Sequence, residues 1–102
     1  MNDNIRFEWD PRKAEANCRK HGIDFEDAKR VFFDPLRRTG IEGNDHGEIR
    51  WRTIGEIGGL IVVIVSHTLL EKCEGEEEIE IVRIISARKA TRRERREYEE
   101  PS

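Results

Sequence analysis

Five polar side chains in the second half of the chain are of types that bind phosphates and move protons, and strand periodicity groups them on one face of a predicted sheet. They are Arg50, Arg52, His67, Ser86 and Arg88. A guanidinium presents a planar fork of N–H donors that matches phosphate oxygens, and an imidazole titrates near neutral pH. Because burying several unpaired cations is strongly unfavourable, we interpret this face as a phosphate site. The alternative is a solvated outer face on which Glu48 and Glu56 pair with the arginines.

The grouping depends on how three predicted strands pair, at residues 49–57, 60–68 and 77–87. Gly58-Gly59 is typical of a two-residue turn between antiparallel strands, and Glu74-Gly75 is a weaker signal of the same kind. These turns predict the pairs Ile57–Leu60, Arg52–Val65, Arg50–His67, Val82–His67 and Ser86–Val63. Because side chains alternate between faces, a one-residue slip at the second turn would move Ser86 and Arg88 to the other face.

The same alternation predicts which face of the sheet the helices cover. That face carries Trp51, Ile57, Leu60, Val62, Ile64, Ile81 and Ile85. The polar side chains lie on the opposite face, around Ile54, Val63, Val65 and Val82. We therefore expect an apolar core on one side of the sheet and the arginines on the other.

The first third of the chain predicts one strand and two helices. Residues 5–9 alternate apolar and charged side chains, which is the pattern of a half-buried strand. Asp10-Pro11 predicts the start of a helix, and Gly22 its end. A second helix is expected from Asp24 to the Asp34-Pro35 stop. Its buried stripe is Phe25, Ala28, Val31 and Phe32.

The remainder predicts mainly β-structure followed by a short helix. Residues 40–48 are polar and rich in glycine and are expected to form a loop. Thr91 and Glu94 fit a capping box, so a helix should follow toward Tyr98. The predicted order is β-α-α-β-β-β-α, an α+β fold in which an antiparallel sheet carries helices on one face.

Three further positions are candidates for function, each with a structural alternative. His21, beside Lys20, could act as a base or acid, or it could only interact with the C-terminus of its helix. Glu94, with Tyr98 one turn later, could reach a substrate, or it could serve only the capping box. Arg83 begins a basic segment, residues 83–96, with seven Lys or Arg and one Glu, which is either a phosphate-binding patch or a solvated helix.

Composition limits the class of protein. The chain has 102 residues, so we expect a single domain over 1–102, and its net charge of −3 does not by itself indicate a nucleic-acid partner. The longest apolar run is Leu60 to Val65, too short to cross a membrane. Cys18 and Cys73 lack CxxC spacing, which favours a reducing cytoplasm. The three histidines show no metal-ligand spacing, so neither a metal nor another cofactor is expected.

Four linked motifs, in one order from about residue 5 to residue 99, resemble the BrnT family of bacterial toxins. The motifs are Phe7-Glu8-Trp9-Asp10-Pro11 with Lys13 and Asn17; Lys20-His21-Gly22-Ile23 with Phe25-Glu26-Asp27-Ala28; Arg50-Trp51-Arg52-Thr53-Ile54-Gly55; and Arg83-Ile84-Ile85-Ser86-Ala87-Arg88-Lys89-Ala90-Thr91 with Glu94 and Tyr98.

The resemblance implies a type II toxin with a RelE-like fold that cleaves RNA and arrests translation. It also implies a protein antitoxin, BrnA, whose ribbon-helix-helix part binds operator DNA, so that the toxin meets DNA only within that complex. The matching polar residues are His21, Arg50, Ser86, Arg88 and Glu94, with Lys20 and Arg52 adjoining them. We predict Arg50, Arg88, His21 and Glu94 as catalytic and Lys20, Arg52, His67, Arg83 and Ser86 as substrate-binding. A non-catalytic module that binds nucleic acid or an antitoxin is the alternative function.

Overall fold

The computed structural model describes residues 4–100. Within that range the chain forms five strands, three α-helices and one 3-10 helix. The strands are β1 (Ile5–Glu8), β2 (Arg38–Asp45), β3 (Glu48–Ile57), β4 (Ile61–Glu74) and β5 (Glu77–Lys89). The helices are α1 (Pro11–His21), α2 (Phe25–Ala28), the 3-10 helix (Lys29–Phe33) and α3 (Arg92–Glu99). The α+β class is therefore confirmed.

The ends of α1 follow from local interactions that the sequence predicted. The Asp10 carboxylate accepts a hydrogen bond from the Arg12 N–H, and Pro11 occupies the first helical turn. Gly22 ends the helix at φ +71°, a left-handed conformation that costs glycine little. The second predicted helix is instead one α-helical turn continued by the 3-10 helix, and its stripe from Phe25 to Phe32 is buried as expected.

The sheet is mixed, with the strand order β1-β5-β4-β3-β2. Strand β1 pairs in parallel with β5, and the other neighbours are antiparallel. The prediction of a wholly antiparallel sheet is therefore wrong at β1. Its partner β5 is the last strand, so the connection between the two parallel strands contains α1, α2, the 3-10 helix and strands β2 to β4.

The predicted loop at residues 40–48 is also wrong, because most of it belongs to strand β2 and to a tight hairpin. His46 and Gly47 make the turn with φ of +53° and +83°, and the Asn44 side chain accepts a hydrogen bond from the Gly47 N–H. Strand β2 is an edge strand with almost wholly exposed side chains, so it has no apolar alternation to signal it.

The predicted pairing of β3 with β4 is wrong by one residue. The loop contains Gly58, Gly59 and Leu60, so Ile57 pairs with Ile61 and Leu60 is 86% exposed. Arg52 therefore pairs with Ser66 and Trp51 with His67. The pairing of β4 with β5 also differs from the prediction, since it contains a bulge at Ser66/His67. The observed pairs there include Ser66–Ser86, His67–Ile84 and Val63–Lys89.

These registers divide the apolar side chains between two faces, both of which carry a helix. The larger cluster joins α2 and the 3-10 helix to one face, with Val63, Val65 and Val82 at its centre. The smaller cluster lies on the other face, where Tyr98 of α3 packs against Ile54, Val62 and Ile64. The expectation of helices on one face only is therefore wrong. The longer loop pairs Ile54 with Ile64, so Val62 and Ile64 share a face with Ile54 and lie under α3.

Candidate functional site

The face that carries α3 also carries a row of polar side chains across three strands. Arg52 of β3, Ser66 of β4 and Ser86 of β5 are direct neighbours in the ladder. Arg88 lies two residues beyond Ser86, and alternation places it on the same face. Helix α3 then brings the Glu94 carboxylate against the two arginines. The predicted grouping of Arg52, Ser86 and Arg88 on one face is thus observed, although the predicted pairs are not.

Glu94 binds both guanidiniums. Its Oε1 lies 2.7 Å from Arg88 Nη1 and its Oε2 lies 2.9 Å from Arg88 Nη2, which is a bidentate pair. Arg52 Nη1 donates to Oε2 over 3.5 Å. The Glu94 side chain is 17% exposed, whereas those of Arg88 and Arg52 are 39% and 42% exposed. Both arginine side chains are therefore partly exposed while one carboxylate binds them.

The charges of this cluster are set by these contacts. The hydrogen bonds from Arg88, followed by those from Thr91, lower the pKa of Glu94 to about 2 despite its partial burial. The same contact with Glu94 raises the pKa of Arg88 above its usual value. At neutral pH the cluster therefore consists of one carboxylate and two cations.

The N-terminus of α3 holds Glu94 in place through a capping box. The Thr91 hydroxyl accepts from the Glu94 N–H at 3.1 Å, and Glu94 Oε1 accepts from the Thr91 N–H at 2.9 Å. Glu94 therefore serves the capping box, as predicted, and also binds Arg88, because one oxygen serves the cap and both serve the guanidinium. A helix N-terminus also favours a negative charge at this position.

A cleft of about 490 Å³ opens beside the cluster, between α3 and strands β2 and β3. Arg52 and Glu94 form part of its wall, together with Arg38, Ile54 and Tyr98. Its lining carries charges of both signs, because Glu42 and Glu97 lie there beside the residues already named. Among the described residues, no group of three His, Cys, Asp or Glu side chains lies close enough to hold a metal ion.

Arg50 lies two residues from Arg52 on the same strand but has its own partner. Its Nη2 is 3.3 Å from Asp45 Oδ2, across the β2–β3 hairpin, and its side chain is 38% exposed. Alternation places Arg50 on the face of the cluster, at its margin.

Ser86 is half-buried and Ser66 is 9% exposed, so these hydroxyls form the floor between the arginines.

His67 is not on the arginine face, and the predicted placement is wrong. It is 1% exposed in the helix-covered core, with its ring 4.9 Å from that of Phe32. Nδ1 lies 3.2 Å from the Thr68 carbonyl oxygen, which can only accept, so Nδ1 carries the proton and donates it. Nε2 then accepts a hydrogen bond from the Thr53 hydroxyl at 2.7 Å. Burial lowers the pKa of His67, which is therefore a neutral core residue.

The other predicted site residues lie apart from the cluster. His21 and Lys20 are at the end of α1, which packs on the opposite face through Asn17 and Ala87. Within residues 4–100 neither is hydrogen-bonded or ion-paired to Arg52, Arg88 or Glu94. Arg83 is ion-paired with Glu8 at 3.3 Å, where β5 meets β1. The structure thus brings together part of the predicted set.

Sequence reasoning missed three residues that line or support the site. Arg38 comes from the strand that was predicted as a loop. Ser66 was assigned no role because the one-residue error put it on the other face. Asp34 was interpreted only as a helix stop, yet its carboxylate accepts a hydrogen bond from Tyr98 across a separation of 64 residues. No local pattern signals such a contact.

Comparison with known proteins gives the family. Residues 9–94 match a family model described as the ribonuclease toxin BrnT of type II toxin–antitoxin systems. The crystal structure of the Brucella abortus ribonuclease toxin BrnT is similar, with a TM-score of 0.58, 28% sequence identity, and coverage of 86% of this chain and 99% of that one. No curated protein sequence matches significantly. Among the described residues, no helix is long and apolar enough to cross a membrane. The family suggested by the sequence motifs is confirmed, and the chain belongs to the BrnT ribonuclease toxins of type II toxin–antitoxin systems.

Proposed function

We propose that this protein is an endoribonuclease toxin that cuts RNA without a metal ion and thereby arrests translation. In this proposal residues 1–102 form one RelE-like domain, and the site is the cluster of Arg52, Arg88 and Glu94. The observation that carries the proposal is the convergence of two half-exposed guanidiniums on one largely buried carboxylate, beside a cleft.

The two arginines suit the charge that develops during RNA cleavage. The 2′-oxygen gives its proton to solvent and attacks the adjacent phosphorus, which forms a crowded phosphorane. The P–O5′ bond then breaks, the 5′-oxygen takes a proton from solvent, and a 2′,3′-cyclic phosphate remains. Donors that are already oriented toward this charge stabilise the transition state, by about 3–4 kcal/mol for one well-placed donor. Arg52 of β3 and Arg88 of β5 supply such donors from the two strands that flank β4. Arg50 adds a third cation at the margin, and Ser86 a hydroxyl on the floor.

Glu94 is assigned to holding these arginines rather than to taking the proton. A carboxylate with a pKa of about 2 is a weak base at neutral pH, since general bases work best with a pKa near the working pH. Its bidentate contact fixes the guanidinium plane of Arg88, which reduces the reorganisation needed when the phosphate arrives.

His21, Lys20 and Arg83 are proposed to extend substrate binding beyond this centre, where they contact RNA away from the reacting phosphate. His67 is withdrawn from the substrate-binding set because it is buried and hydrogen-bonded on both ring nitrogens. Exposed arginines of α3 adjoin the centre and favour a negatively charged strand.

The partner is proposed to be a BrnA-like ribbon-helix-helix antitoxin that masks the arginine face, with operator DNA bound only through that complex. Inhibition by masking requires the antitoxin and RNA to compete for Arg52 and Arg88. We place the protein in the reducing cytoplasm, which is supported by two free, exposed cysteines, Cys18 and Cys73.

The test compares Arg88→Ala with the wild type in cleavage of single-stranded RNA, with and without EDTA. We expect the variant to lose most activity while staying folded, and EDTA to have no effect on the wild type. Arg6→Ala is the matched control, because Arg6 is also an exposed sheet arginine in a carboxylate pair, with Glu74 at 2.7 Å. Cleavage retained by Arg88→Ala, or RNA binding without any cleavage by the wild type, would overturn the proposal. The second outcome would favour a non-catalytic binding module.

A further inference from the structure

Helix α3 is attached to the body of the protein through Glu94 in its first turn and through Tyr98 near its end, and Arg38 donates to the Glu100 carbonyl just beyond it. The Tyr98 ring is 7% exposed and packs against Ile54, Val62 and Ile64, while its hydroxyl donates a hydrogen bond to Asp34 Oδ2. Helix α3 has only eight residues, and isolated helices of that length are marginal in water. The helix therefore depends on such contacts for its position.

Asp34 is itself rigidly held. Oδ2 accepts the Glu56 N–H at 2.7 Å and Oδ1 accepts the Leu36 N–H at 2.9 Å, so one carboxylate joins the segment after the 3-10 helix to the edge of β3. Burial alone would raise the pKa of Asp34, but the hydrogen bonds from Tyr98 and the two backbone groups outweigh it and lower the pKa.

Glu94 and Tyr98 stand four residues apart on α3, so they share the face that meets the sheet. One end of that face contacts Arg88 and Arg52, and the other contacts Asp34. The separation along the helix axis is about 6 Å, one turn of rigid backbone. A shift of α3 at Tyr98 must therefore displace Glu94 from the arginines.

We propose that Asp34 and Tyr98 are positioning residues of the ribonuclease site, whose contact holds α3 so that Glu94 orients Arg88 and Arg52. This inference rests on the proposed function. Tyr98 touches no reacting atom in this account, since its hydroxyl is already committed to Asp34. Its phenol also has a raised pKa, owing first to burial and then to Asp34, which makes it a poor acid at neutral pH.

Tyr98→Phe tests the proposal, because it removes only the hydroxyl and keeps the packed ring. We expect kcat for RNA cleavage to fall on the order of tenfold, as for loss of one hydrogen bond to a charged group, with little change in KM. Asp34→Asn should act in the same direction, since it offers Tyr98 a neutral acceptor in place of a charged one and turns an NH₂ toward either the Leu36 N–H or the Glu56 N–H. If Asp34→Asn does not fold, Tyr98→Phe alone decides.

Combination with Glu94→Gln separates positioning from general destabilisation. If Tyr98 acts through Glu94, the double variant loses little more kcat than Glu94→Gln alone; independent effects would multiply. Ile84→Val, a small core truncation under the opposite face, serves as the stability-matched control and should leave kcat unchanged.

Multiplicative effects, or an unchanged kcat in Tyr98→Phe, would overturn the inference. The outcome for Arg88→Ala distinguishes the two proposals. If Arg88→Ala is inactive and Tyr98→Phe is fully active, only the positioning role fails. If Arg88→Ala is active, the site itself has been misassigned.

Discussion

Glu94→Gln is expected to reduce both stability and its dependence on pH, because it removes the charge that binds two arginines while leaving the capping box intact. Glutamine at this position can still accept from the Thr91 N–H. The pKa of Glu94 falls from 4.5 to about 2, and at about 1.4 kcal/mol for each pKa unit this corresponds to about 3 kcal/mol. The arginines are 39% and 42% exposed, so solvent screening reduces the expected loss to about 1–2 kcal/mol.

The sign of the pH effect follows from the lowered pKa. A carboxyl whose pKa is lower in the folded state stabilises the fold above its unfolded pKa, and that contribution is lost as pH falls through the folded value. The gap in unfolding free energy between wild type and Glu94→Gln should therefore be largest at pH 7 and should be less than half as large at pH 3.

Unfolding in urea measures this gap without the screening that a charged denaturant would add. The matched control is Glu99→Gln, which removes a carboxylate from an exposed pair on the same helix, 3.7 Å from Arg95, and should change stability by less than about 0.5 kcal/mol. A gap for Glu94→Gln that is absent at pH 7, or equal at both pH values, would refute the reasoning.

Three further predictions concern packing, a buried base and the phosphate contacts. Gly55→Ala should destabilise the protein by about 1–3 kcal/mol, because its Cβ would lie 2.8 Å from Val31 Cγ1 and 3.0 Å from the Val31 carbonyl oxygen. In the same urea assay Gly40→Ala, which meets nothing within 4 Å, should have little effect, and equal losses would contradict the packing argument. The wild type should lose stability below about pH 6.5, because burial lowers the pKa of His67 and protonation of this histidine therefore favours the unfolded state. His67→Gln should lose less stability over the same pH range, and parallel pH profiles of the two proteins would contradict this. Arg52→Ala should make the dependence of RNA affinity on salt shallower by about 0.7 in the log–log slope measured by fluorescence anisotropy, and an unchanged slope would remove Arg52 from the phosphate contacts.

The local ends of the helices were predictable because the interactions that make them are local. Asp10-Pro11, Gly22 and the Thr91 capping box each act within a few residues, and each is present as expected. Strand β2 was not predictable from periodicity, because an exposed edge strand needs no apolar face. The pairing of β3 with β4 was not predictable from Gly58-Gly59 alone, since glycines there also fit the longer loop that includes Leu60.

The grouping of Arg52 with Arg88 was predicted through two errors that cancel. The longer loop moves the whole of β4 by one residue against β3, which sends His67 into the core. The bulge at Ser66/His67 shifts the pairing of β5 by one more residue, so that Ser86 and Arg88 lie on the same face as Arg52. Val82, before the bulge, lies in the core on the other face. Alternation along one strand is thus readable from sequence, whereas the relation between strands depends on loop length and bulges, which are set by tertiary packing.

The role of Arg52 and Arg88 in holding the reacting phosphate can be tested by a structure of the protein bound to a short RNA whose 2′-hydroxyl at the cleavage site is replaced by hydrogen. The phosphate at that position should lie within hydrogen-bond distance of the guanidiniums of Arg88 and Arg52, with Glu94 still bound to Arg88. A phosphate seated instead at the end of α1, beside Lys20 and His21 and away from both arginines, would contradict this role.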